Sequence, residues 1–181
     1  MSPAIDRTRT LRGAVSGAIA AAVWGLQQPL DKLVFSSRYD DVELLGKAVT
    51  RGDAWLPIGL GLHMGNGALF GAAYANLAPA LPLPPALRGP AAALAEHVVL
   101  WPLTALTDRL HPARGDLPKL SGSRAAYLQA AWRHLLFGLI LGELERRINA
   151  EPEAAPPEPE SDFSSNGHGS LEHAVSVHET P

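Results

Sequence analysis

The chain has 181 residues, of which 46% are hydrophobic and only 18% charged, with a formal net charge of −3. Its length fits one domain, and the charged fraction lies below the roughly 25% of an ordinary soluble domain. The acidic balance excludes the concentrated basic face of a nucleic-acid binder, and the absence of cysteine excludes disulfides, iron–sulfur clusters and thiolate zinc sites.

Residues 1–10 read as an N-terminal arm. Arg7, Arg9 and Arg12 stand ahead of an apolar run containing Ala20, Ala21 and Ala22, the layout of a signal peptide. The run is as long as a span and its pattern recurs later in the chain, so it reads as a retained helix. The first expected span, 13–30, has no charge and meets the lower length limit for crossing a hydrocarbon core. It is rich in Ala and needs partner helices. Residues 31–53 are polar, but Val42, Leu45 and Val49 recur at helical spacing and predict a short interfacial helix. Trp55 follows, at an edge that suits an amphipathic ring. The second span, 57–77, opens on Pro57, and residues 54–87 hold no Asp, Glu, Lys or Arg. Pro79, Pro82, Pro84 and Pro85 predict a stiff connector. The third span, 90–110, is expected to kink at Pro102, and 111–123 to form a loop. The fourth, 124–148, ends on Arg146 and Arg147. Residues 149–181 combine Pro, Ser and acid with few large apolar groups, so a disordered tail is expected. Its His168, His173 and His178 read as solvated.

The halves resemble each other. Trp24 with Asp31 reappears 77 positions on as Trp101 with Asp108; His63, Gly67 and Gly71 reappear 71 positions on as His134, Gly138 and Gly142. A duplicated helical hairpin, about 13–77 and 90–148, predicts an all-α, four-helix transmembrane bundle over 11–148, with a parallel pseudo-twofold repeat. Glycines four apart share a helical face, and in lipid such faces let backbones approach closely. The expected packing residues are Gly17, Gly25, Gly61, Gly65, Gly67, Gly71, Gly138 and Gly142.

Between the copies a polar layer is expected. At about 1.5 Å per residue, Glu96 lies roughly 18 Å from Asp108, and Arg133 roughly 14 Å from Arg124. Both depths fall near the middle of a core of about 30 Å. The first copy has Ile19 and Leu62 at the equivalent places, so the two charges arise together, and an ion pair between Glu96 and Arg133 is expected. His63, His97, His134 and Asn66 fall at similar depth. Intramembrane ionisable groups point to proton or ligand chemistry. The plainer reading has each histidine donating to a backbone carbonyl to lock the bundle. Two histidines holding a b-type haem is a minor alternative. Glu96-His97 lacks the second His of a metalloprotease. No phosphate loop, nucleophile elbow or carboxylate pair is readable, so neither enzyme activity nor a cofactor or metal is expected.

Residues 61–75 (GLHMGNGALFGAAYA) and 134–144 (HLLFGLILGEL) resemble a motif of small, uncharacterised bacterial integral membrane proteins. In these a helix begins with His and continues through Gly at four-residue steps. The resemblance implies a four-helix protein of the bacterial inner membrane and brings no activity with it. The excess of Arg over Lys, with abundant Ala and Pro, fits a bacterial source. The expected role is structural or in assembly, with the lipid bilayer as partner, cytoplasmic termini and a homodimer as one arrangement. The alternatives are a small proton-coupled carrier and a soluble Ala-rich bundle.

Overall fold

A computed structural model describes residues 6–150. The expected tail from 151 onward, with its three histidines, lies outside these residues. Helix α1 (Arg7–Val34) begins at Asp6, whose carboxylate accepts the backbone N–H groups of Thr8 and Arg9 and satisfies two donors that a helix start leaves open. It runs through Pro29 to Val34, past the expected end at 30. Asp31 therefore projects from the helix instead of from a loop. Helix α2 (Asp41–Val49) is capped by Asp40, which accepts the N–H of Glu43. Helix α3 (Trp55–Leu77) leads through a 3₁₀ turn at Ala78–Ala80 to α4 (Pro85–Leu100), which opens on a proline where no N–H is missed. The expected third span is divided. Pro102 lies in a 3₁₀ turn, Trp101–Leu103, and α5 (Thr104–Leu110) follows. Helix α6 (Arg124–Ile148) starts at Ser123, whose hydroxyl accepts the N–H of Ala126. All the described secondary structure is helical.

Helix α1 packs on α3 and α6, α4 on α6, and α2 on α3. Contact pairs running in opposite senses make α3 and α6 antiparallel to α1. Arg9 Nη2 donates to Glu145 Oε1 at 2.7 Å at one end, and Arg133 meets Asp31 towards the other. Glycines set the spacing. A Cβ at Gly17 would lie 2.0 Å from the carbonyl oxygen of Gly67, and one at Gly71 2.2 Å from that of Gly13. The second half repeats the device: a Cβ at Gly89 would lie 2.2 Å from the carbonyl oxygen of Gly138 and 2.8 Å from Cα of Gly142. Gly46 and Gly59 bring α2 against α3 in the same way. Three of the expected packing glycines do not serve this purpose. Gly61 and Gly65 face open space, and Gly25 makes only ordinary contact with Leu60 and Val42, because these positions lie off the lines where two backbones meet.

The interior is small and polar. Ala20, Ala21, Ala75, Ala93 and Ala130 are buried beside Ser16, Gln28, Asp31, Gln129 and Arg133. The larger apolar side chains concentrate outside, among them Leu26 at 81% exposure, Leu69 at 73% and Val99 at 72%. Even so, no described helix is long and apolar enough to cross a membrane. Gly, Ala and inward polar groups dilute the leucines of α1, α3 and α6, and α4 stops after 16 residues. The expected four-span transmembrane bundle is thus supported here only as an all-α bundle.

Candidate functional site

Two layers of polar side chains lie towards the end of the bundle where α1 finishes. In the outer layer Arg133 is fully buried. Its Nε donates to Asp31 Oδ2 and its Nη2 to Asp31 Oδ1, both at 2.6 Å, the bidentate fork that guanidinium and carboxylate geometry favours. Nη1 donates to Asp41 Oδ2 at 2.7 Å, and Nη2 also reaches the Tyr39 carbonyl at 3.1 Å. Gln129 Nε2 donates to Asp31 Oδ1 at 2.6 Å, and Gln27 supplies a further donor. The guanidinium lies 5.2 Å from the centre of the Tyr39 ring, within cation–π range.

The expected Glu96–Arg133 pair does not form. Counting depth from Arg124 assumed that the helices start level, but α1 continues past Pro29 and brings Asp31 opposite Arg133. Asp41 arrives from the start of α2. It also accepts the indole N–H of Trp24 at 3.1 Å and the hydroxyl of Tyr39. Burial alone would push the Asp41 carboxyl up, but Arg133 beside it and the Tyr39 hydroxyl hold it below the usual carboxylate value. Burial and the neighbouring Asp41 charge push the Tyr39 phenol well above its ordinary range. Tyr39 is therefore the donor in that hydrogen bond at every moderate pH.

About 10 Å along α1, by the helical rise, is the inner layer. Trp24 sets its ring edge-on to His63 and His134, with centroids 5.1 and 4.8 Å away. His97 packs on His134 at 4.9 Å and on Tyr127 at 4.7 Å, and Trp101 joins it at 5.3 Å. The repeat markers Trp24 and Trp101 thus each pack on histidine. Asp31 and Asp108 have diverged. Asp108 accepts the backbone N–H groups of Leu120 and Ser121 and so folds the loop back onto α5.

A cleft of about 240 Å³ opens onto this layer. Of the expected polar cluster, Glu96, His63, His134 and Asn66 line it, joined by Asp41, while His97 and Arg133 are not on its wall. Trp24, Tyr39, Phe70 and Phe137 supply aromatic wall. Glu96 Oε2 lies 3.8 Å from His134 Nε2, too far for a hydrogen bond, and the Glu96 carboxylate accepts none among the described residues. His134 Nδ1 lies 2.7 Å from the Ala130 carbonyl. That contact assigns its proton to Nδ1 and leaves Nε2 of the neutral ring an acceptor. The Nε2 atoms of His63 and His97 are buried without a partner, while His134 makes through Nδ1 the carbonyl contact expected of each histidine.

Asp31 and Asp41 are the site residues that sequence reasoning missed. In the sequence Asp31 stands out only as a repeat marker, and the one signal for Asp41 is its place at the head of a predicted helix. No group of three or more metal-ligating side chains converges among the described residues. The chain matches no protein-family model, no curated protein and no solved structure.

Proposed function

We propose that the chain is a multi-pass membrane protein whose polar cleft serves a small proton-coupled carrier. The observation that carries the membrane reading is the inverted distribution of side chains. A fully buried arginine, two buried glutamines and a buried aspartate sit inside, while leucines and valines cover the outside. In water that arrangement leaves large apolar side chains exposed on every long helix, and large apolar patches mark membrane or partner surfaces. In lipid it is the expected one, since ionisable groups turn inward and small residues form the seams. On α3, Leu60, Leu62, Leu69 and Leu77 face outward, while His63, Gly67 and Gly71 are buried.

The cleft favours carrier chemistry over a purely structural role. Glu96 and His134 form an acid–base couple without a direct bond, on the wall of a space large enough for a small ligand. A structural role finds its support in the Arg133–Asp31–Asp41 layer, which ties α1, α2 and α6 together. Glu96→Gln separates the two. Under the carrier reading the variant inserts and melts as the native protein does, but proteoliposomes containing it lose proton-linked uptake. A variant that fails to accumulate or melts early would instead place Glu96 among the structural groups.

A further inference from the structure

The ligand class follows from the charge and hydrogen-bonding state of the cleft, and this inference rests on the reading of the cleft as a binding site. Among the described residues two carboxylates line the cleft and no lysine or arginine does. Arg133, behind the wall, is already committed to Asp31, Asp41 and the Tyr39 carbonyl, so one positive charge faces two negative ones there. Glu96 adds another anion and accepts no hydrogen bond among the described residues. Facing it at 3.8 Å is Nε2 of His134, an acceptor in the tautomer that donates from Nδ1 to the Ala130 carbonyl. Two acceptors at this separation leave room for a donor that bonds to both, and a positive charge on that donor answers the carboxylate. Independently, His63 is 94% buried on the cleft wall (6% exposed) and its Nε2 has no partner. A buried nitrogen of this kind costs free energy until something bonds to it. The rings of Trp24, Phe70 and Phe137 also line the cleft and give it an aromatic wall.

We infer that the cleft binds a small organic ammonium ion bearing N–H groups, which donates to Glu96 Oε2 and His134 Nε2 while its alkyl part lies against the aromatic wall. Neutral alcohols lack the charge, and quaternary ammonium ions lack the donor. Anions meet two carboxylates.

Titration calorimetry of the full-length protein in detergent tests this with four probes of similar size: n-butylammonium, tetramethylammonium, 1-pentanol and butyrate. The structure predicts saturable binding of n-butylammonium, at least tenfold tighter than any of the other three. Glu96→Gln should weaken it at least tenfold. Equal binding of 1-pentanol would keep the cleft as a binding site and overturn the ammonium assignment. Equal binding of tetramethylammonium would remove the N–H requirement and with it the bridging geometry. Tighter butyrate binding would reverse the charge argument, and failure of every probe to bind at millimolar concentration would overturn both the inference and the cleft reading. The comparison among probes uses the native chain, so it decides the matter even where the variant does not fold.

Discussion

Arg133 has four donor contacts, and their loss has a sign that can be worked out. Removing one partner of a buried ion pair leaves the other charge uncompensated, at about 3–5 kcal/mol. Asp31→Asn retains the side-chain volume but loses the anion held by two bonds from Arg133 and one from Gln129. The expected outcome is a destabilisation in that range, seen as a lower midpoint in chemical denaturation of the detergent-solubilised protein. Glu96→Gln at the cleft edge should shift the midpoint by much less, because Glu96 is partly exposed and has no hydrogen bond to lose among the described residues. Asp41 adds a pH dependence. Its folded carboxyl is held below the ordinary carboxylate value, so its contribution is complete above that value and is lost as the pH falls through the lower folded one. Thermal melts between pH 7 and pH 3 should therefore show stability falling chiefly below pH 4, and Asp41→Asn should flatten that limb. An unchanged acid limb in the variant would remove Asp41 from this role.

Helices meet here by backbone contact at glycine, which makes the consequences of adding a methyl group position-specific. At Gly17 the added carbon would be 2.0 Å from a backbone oxygen, which no side-chain adjustment can relieve. Gly17→Ala should therefore separate α1 from α3 at a cost of about 1–3 kcal/mol, typical of overpacking. Gly61 faces open space, so Gly61→Ala should be neutral or stabilising by up to about 1 kcal/mol through helix propensity. Paired denaturation curves check both, and similar effects at the two sites would contradict the seam. Much at this scale was legible in the sequence. The run of 54–87 without charge and the Ser123–Arg124 start located α3 and α6 to within two residues, whereas α1 runs four to six residues past its expected ends and the third span breaks after Leu100. Gly46 and Gly59 were not legible as a pair because their contact joins two helices whose packing no local pattern reports. The Arg133 partner was not legible for a related reason. Helix ends inferred from charge placed Asp31 outside α1, whereas the backbone of α1 continues past Pro29, whose missing N–H did not end the helix.

At the scale of the molecule, polar groups and small residues fill the inside and large apolar side chains cover the outside. The repeat in sequence has its counterpart in packing: α1 on α3 through Gly13, Gly17, Gly67 and Gly71, and α4 on α6 through Gly89, Gly138 and Gly142. The copies differ where the chemistry is. One contributes Asp31 and Asp41 and the other Arg133, Glu96 and His134, so neither half could form the polar layers alone. The most direct test of the inverted arrangement is the partition of the full-length protein after alkaline carbonate extraction and ultracentrifugation. The account predicts that the protein stays in the membrane pellet and enters solution only with detergent. A monodisperse protein in the detergent-free supernatant would contradict it, since the exposed leucines would then have to be accommodated in water.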